Sequence, residues 1–225
     1  MRRVVLVRKT PILLVFFLLF FLPACSMQSS GSKLESARLS QDAKSAEVAP
    51  KETVSEGELT LTVDYLTPLA KIQEPELFVY KEKRRLYVVH HKTLVRDYPI
   101  GLGFHPQGDK EKEGDGRTPE GEFFVCMKNA GSRFGKSMGL NYPSKKHAER
   151  AFFAGVISPV DFRAILLAVE KKGKPPWNTV LGGESFIHAG GAHKDWTNGC
   201  VALYDSDMEE LFQMASTGTP VSIRP

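Results

Sequence analysis

The chain has 225 residues, with 30 Lys and Arg against 26 Asp and Glu and a formal net charge of +4. Arg2, Arg3, Arg8 and Lys9 account for that whole excess, so the remainder is neutral overall. Without a basic excess the electrostatic footprint of nucleic-acid binding is missing, and no nucleic acid is expected as a partner.

Those four basic residues precede an apolar run from Ile12 to Leu22. Such a run is too short to span a bilayer comfortably and is expected to be the core of a signal peptide. It ends in Leu22-Pro23-Ala24-Cys25, a small residue directly before a cysteine, which resembles the lipobox of a bacterial lipoprotein. Cleavage there makes Cys25 the first mature residue, and the several acyl chains it would receive suffice for stable membrane anchoring. Ser26, by resemblance to lipoprotein sorting signals, points to the outer membrane and the periplasmic side of the envelope. Ser29 to Glu58 is rich in Ser, Ala, Glu and Lys and poor in large apolar residues, too little to fold alone. Residues 1–25 are thus expected to be a lipoprotein signal peptide, 26–73 a flexible tether and 74–225 one domain with its own core. Near the end of the tether, Leu59-Thr-Leu-Thr-Val63 alternates like a strand, but Pro68 soon interrupts.

The domain reads as mainly β with helical insertions. Phe78 to Tyr80, Arg85 to Val89 and Leu94 to Tyr98 are short runs rich in β-branched and aromatic residues, separated by charged turns, and they predict a meander. Gly108 to Gly121, with its charge run Asp109 to Glu113, predicts a long exposed loop closed by Thr118-Pro119, and a strand from Glu122 to Met127 follows. Ser158-Pro159 predicts a capped helix start, with Phe162, Ile165, Leu166 and Val169 on one face before Gly173-Lys-Pro-Pro ends it. Ser206 to Glu209 predicts a capping box that opens a second helix with Met208, Leu211, Phe212 and Ala215 inward; Pro220 to Ile223 predicts a last strand.

The chemistry concentrates in one segment, Ser185 to Leu203. His188 ends an apolar run, and Cys200 follows Gly199 and begins another, Cys-Val-Ala-Leu203. A free thiol has a pKa of about 8.5, so it needs a neighbouring base to become a nucleophile at neutral pH. If the two runs lie side by side, with Gly190-Gly191 to Asn198-Gly199 as the loop between, His188 can serve. Gly199, lacking a Cβ, lets the backbone turn sharply and aim successive N–H groups at an oxyanion. Of the other cysteines, Cys126 lies in Phe123 to Met127 and reads as a small buried hydrophobe, although an oxidising compartment would let it pair with Cys200.

The order His188, variable loop, Thr197, Gly199, Cys200, Val201 resembles the signature of the L,D-transpeptidase (YkuD-type) catalytic domain. Leu77 to Tyr80, Leu86 to His90, Tyr98 to Gly103, Gly114 to Gly121 and Ser132 to Phe134 through Tyr142-Pro143 resemble its N-terminal half, so the likeness covers roughly Glu74 to Pro225. Asn198 stands where many members have a second histidine, Ala189 where a glycine is usual and Ala202 where an arginine is common, which resembles the branch ending Gly-Cys-x-Ala. Some relatives in that branch hydrolyse rather than transfer. The resemblance implies a β-sandwich with a capping helix and a C-terminal helix, and acyl transfer on peptidoglycan stem peptides with a stem amine or a wall-attached protein as acceptor. It implies Cys200 as nucleophile and His188 as its base, with the Ala189 carbonyl fixing the imidazole tautomer and the N–H groups of Asn198, Gly199 and Cys200 holding the oxyanion. Thr197, Trp196 and Arg133 are the expected substrate contacts; for Trp196 packing of the loop, and for Arg133 a surface ion pair, are equal alternatives. A catalytically silent wall-binding lipoprotein on the same fold is the second reading.

No cofactor is expected, and no metal: His193 with His188 and Cys200 lacks a fourth ligand and matches no common zinc spacing. His90, His91 and His193 read as structural or surface groups, and Arg84, Arg85 and Lys136 as a solvated face.

Overall fold

Strands outweigh helices in the computed structural model, which describes residues 62–225. The expected signal peptide, Cys25 and the tether up to residue 61 lie outside the described residues. The elements are β1 (Thr62–Val63), β2 (Glu76–Tyr80), β3 (Arg85–His90), β4 (Thr93–Pro99), β5 (Gly121–Ser132), β6 (Gly135–Leu140), α1 (Lys145–Phe153), α2 (Pro159–Glu170), β7 (Phe186–His188), β8 (Val201–Ala202), α3 (Asp205–Met214) and β9 (Pro220–Arg224). The hydrogen-bonded strand order is β1-β4-β3-β2-β9-β5-β6-β7-β8.

The meander of β2, β3 and β4 is antiparallel, with Leu77 opposite Val88 and Leu86 opposite Tyr98. Alternation puts Leu77, Val79, Leu86 and Val88 inward, each at most 1% exposed. The pivot is β5. Its first residues, Gly121 to Phe124, pair with β9, whereas from Val125 onward it pairs with β6. One strand thus joins two halves of sheet, and both supply the same core: Leu77, Val79 and Leu86 from one half, Met138, Leu140 and Ile187 from the other, with Met208 and Leu211 of α3. Each fully buried side chain of this size contributes about 1.5–3 kcal/mol.

The start of α2 follows from local sequence. Ser158 Oγ accepts the Asp161 N–H at 3.1 Å, the Asp161 carboxylate accepts the Ser158 N–H at 3.4 Å, and Pro159 occupies the first turn. A helix not anticipated from the sequence, α1, packs against it through Ala148, Ala151, Ile157, Ile165 and Leu181, a second small core. Its signals are short: Ser144 before the first turn, and Ala148, Ala151 and Phe152 at helical spacing.

Three expectations change. The capping box at Ser206 does not form: α3 begins at Asp205, and Glu209 reaches across to Lys136 Nζ at 2.5 Å instead of back to its own N-terminus. Asp205 and Asp207 in the first turn offset the exposed helix dipole there. Residues 62–72, read as the end of a tether, are held on the domain, since Thr62 and Val63 pair with Thr93 and Leu94 and Ile72 is buried. The segment 108–121 is exposed only in part: Gly108 and Glu111 to Gly114 face solvent, but Lys110, Thr118 and Pro119 are buried, because ion pairs satisfy charges that sequence alone assigns to water.

Candidate active site

Strands β7 and β8 run parallel, with Ile187 opposite Val201 and His188 opposite Ala202. Parallel neighbours need a crossover, which residues 189–200 provide as a loop. Alternation along the paired strands sets positions 188 and 200 on the same side, two residues apart in register. The Cys200 thiol lies over the β7 side of this pair: its Sγ accepts from the Phe186 N–H at 3.4 Å and donates to the Glu184 carbonyl at 3.5 Å. Among the described residues no hydrogen bond joins it to His188.

The turn before the thiol is built by Thr197. Its buried hydroxyl accepts the Gly199 N–H at 3.1 Å and donates to the Cys200 carbonyl at 2.8 Å. Gly199 has φ +129°, and a Cβ there would stand 2.5 Å from the Arg117 carbonyl oxygen, so only glycine fits. Two sequence assignments are corrected by this geometry. The Gly199 N–H is not free for an oxyanion, and Thr197 spends its hydroxyl inside the turn rather than on a substrate. The N–H groups of Asn198 and Cys200 have no acceptor among the described residues, and Asn198 is exposed.

His188 is 3% exposed and its Nδ1 lies 2.6 Å from the Ala189 carbonyl. That carbonyl can only accept, so Nδ1 carries the proton and Nε2 presents a lone pair. Phe134, from the β5–β6 turn, stacks on the imidazole at 4.7 Å and 19°, and Trp196 meets it edge-on at 5.6 Å. Trp196 is pinned in turn by its indole N–H, which donates to the Gly191 carbonyl at 3.0 Å. Burial pushes the imidazole below its ordinary pKa, against the Ala189 hydrogen bond and with the Arg133 charge, so the ring is neutral at pH 7. Burial raises the Cys200 thiol, opposed by the Phe186 N–H and the Lys110 charge.

The segment 108–120 forms the opposite wall. Thr118 Oγ1 accepts the Gly103 N–H at 3.0 Å and approaches the Cys200 carbonyl at 3.5 Å, and Gly103 forms a bridge with Thr197. Helix α1 clamps this wall: Asp109 meets His147 Nε2 at 3.0 Å, Lys146 at 2.9 Å and Arg150 at 2.9 Å. Burial opposes ionisation of Asp109, yet the His147 hydrogen bond and charge hold its carboxyl well below the usual range.

The remaining candidates are spread more widely. Arg133 is exposed on the β5–β6 turn with its guanidinium 4.6 Å from the Phe134 ring, beside a cleft of about 470 Å³ lined also by Lys136, Ala189, Asp205 and Glu209. Arg84 pairs with Asp195 at 2.8 Å and Arg85 with Asp97 at 2.6 Å, and the Asp195 carboxylate also accepts the Leu102 N–H at 2.9 Å, tying the crossover loop to the sheet. Cys126 and Cys200 are both free thiols, and His193 is exposed. No group of three or more His, Cys, Asp or Glu is placed to hold a metal among the described residues. Sequence reasoning missed Phe134, Thr118 and Lys110 as parts of the site; only Phe134 carried a signal, as an aromatic within a short turn.

The family model of the L,D-transpeptidase catalytic domain (YkuD) matches residues 74–223. No curated protein matches in sequence. Among solved structures, the L,D-transpeptidase of Xylanimonas cellulosilytica is 15% identical with a TM-score of 0.41, over 68% of this chain and 61% of that one. The helical cell shape determining protein Pgp2 of Campylobacter jejuni is 19% identical with a TM-score of 0.46, over 67% and 46%. An L,D-transpeptidase from Mycobacterium smegmatis is 12% identical with a TM-score of 0.41, over 68% and 59%. The chain thus spans about half to three-fifths of the length of these structures.

Proposed function

Since the chain belongs to the YkuD family of L,D-transpeptidase catalytic domains, we propose that it is a cysteine-dependent acyltransferase acting on peptidoglycan stem peptides. One observation carries the reading: a buried, neutral His188, its Nδ1 proton held by Ala189, on the strand paired with the one that Cys200 opens. The Cys200 sulfur attacks the carbonyl at the L-centre of a stem diamino acid while His188 Nε2 takes the thiol proton. The N–H groups of Asn198 and Cys200 receive the oxyanion, each such donor being worth about 3 kcal/mol of barrier in enzymes of this kind. Collapse breaks the amide bond, His188 returns the proton to the departing D-alanine amine, and a thioester remains. An acceptor amine then attacks the thioester, losing a proton to His188, and the thiol is restored as the cross-link forms. With water as acceptor the same steps give a carboxypeptidase or an endopeptidase, the outcome that the Gly-Cys-x-Ala pattern, Gly199-Cys200-Val-Ala202, keeps open. The exposed Arg133 at the cleft is a candidate contact for a substrate carboxylate.

The protein would work at the periplasmic face of the envelope, lipid-anchored through Cys25, with the outer membrane favoured by Ser26. The test incubates purified protein with defined tetrapeptide stems and with a tripeptide-linked protein fragment, products being read by mass spectrometry against Cys200→Ala. Cysteine-dependent dimers or D-alanine exchange are expected. Hydrolysed product alone would redirect the proposal to a hydrolase, and turnover surviving in Cys200→Ala would sink it.

A further inference from the structure

The steps above leave one buried charge unused. The Lys110 side chain is 5% exposed, and its one hydrogen-bond partner among the described residues is Asp115 Oδ1 at 2.7 Å. An ammonium has three donors and is costly to bury unless its charge is answered. Asp115 answers it in part, because the same carboxylate also accepts the N–H groups of Glu111, Lys112 and Arg117. The position of Lys110 is the informative feature. Its Nζ lies 3.6 Å from the point where a Cβ on Gly199 would stand, against the turn that carries the nucleophile.

A lysine on a free loop would not hold that station. Here the preceding residue, Asp109, is bound by His147, Lys146 and Arg150, and Arg150 also donates to the Lys110 carbonyl. The Arg117 carbonyl, 2.5 Å from the same point on Gly199, closes the wall on the other side. The clamp therefore delivers a buried cation to the nucleophile turn.

We propose that Lys110 is a positioning residue for the reaction, stabilising negative charge on the Cys200 sulfur, with Asp115 setting how much of the Lys110 charge the sulfur feels. The proposal rests on Cys200 being the nucleophile. The charged groups that act on Cys200 among the described residues are Lys110 and Arg133, which favour the thiolate, and Glu184, which opposes it. Arg133 is exposed and its effect is screened, whereas a buried ammonium is screened much less. The acidic groups around Lys110 are Asp115 on its own loop and Asp109 beside it, the latter already engaged by the cations of α1.

The test follows the alkylation of Cys200 by iodoacetamide in the full chain over a pH series, with the Cys200 peptide quantified by mass spectrometry so that other cysteines do not interfere. The thiolate displaces iodide, so the rate tracks the thiolate fraction. Lys110→Met is expected to move the profile up by about one pH unit and to slow alkylation at pH 7 about tenfold. Lys110→Arg should leave the profile in place. Asp115→Asn should move it the opposite way, to lower pH. A Lys110→Met profile overlying that of the native protein would overturn the proposal, and so would an upward shift in Asp115→Asn. Should Lys110→Met fail to fold, as read by circular dichroism, Asp115→Asn decides: no downward shift refutes the assignment. Alkylation needs no turnover, so failure here is distinct from failure of the acyltransferase reading, which Cys200→Ala tests by product.

Discussion

Replacing Thr197 by valine keeps the shape of the side chain and removes its oxygen, so it isolates what the hydroxyl contributes to the nucleophile turn. Two hydrogen bonds go. The Gly199 N–H is buried and loses its acceptor outright, a loss of about 1–3 kcal/mol. The Cys200 carbonyl loses its 2.8 Å donor but keeps the Thr118 hydroxyl at 3.5 Å, so its share is smaller, about 0.5 kcal/mol. The sum is about 1.5–3.5 kcal/mol, which for a domain of this size corresponds to a drop in Tm of roughly 3–14 °C. Thermal unfolding by circular dichroism measures it, with Thr197→Ser as the control that keeps both bonds. Release of D-alanine from a tetrapeptide stem should fall along with stability, because on the proposed mechanism the same bonds aim the Asn198 and Cys200 N–H groups. A valine variant melting with the native protein would refute the idea that Thr197 builds this turn.

His188→Gln is expected to lower turnover by about a hundredfold to ten-thousandfold. In the native protein, burial of the imidazole should let the proposed reaction's rate hold as pH falls through about 6.5; a rate already halved at that pH would contradict it. The two buried histidines, His147 and His188, both have pKa values lowered by burial, so the unfolded chain takes up protons first. Stability should therefore decline as pH drops below about 6.5, and equal urea midpoints at pH 7.5 and pH 5.5 would exclude this. Asp109→Asn weakens the hydrogen bonds to His147, Lys146 and Arg150 and should cost about 1–2 kcal/mol in chemical denaturation, the exposed Lys146 and Arg150 being answered by water, while a native-like midpoint would show that the clamp is dispensable.

Signals confined to a few neighbouring residues were legible in the chain. Ser158, Pro159 and Asp161 specify the start of α2 because cap and first turn are satisfied within four residues. The alternating runs from Leu77 to Tyr98 specify strands because period-two burial is written in the residues themselves. His188, Gly199 and Cys200 announce a thiol site by residue type and order. What the chain could not declare is how distant segments meet. The parallel pairing of β7 with β8 depends on where a crossover loop docks, and that docking uses Asp195 against the Leu102 N–H and Arg84, partners about a hundred residues away. The run Asp109 to Glu113 looks solvated by composition, yet Asp109 and Lys110 are drawn inward because α1 and Asp115 supply the opposite charges. Ser206 and Glu209 have the spacing of a capping box, but Lys136 from another strand takes the glutamate. Local hydrogen bonding and hydrophobic period belong to the sequence alone. The burial of Lys110 against the Gly199 turn and the stacking of Phe134 on His188 exist only once tertiary packing brings distant segments together, excludes water and makes each polar group find its partner within the protein.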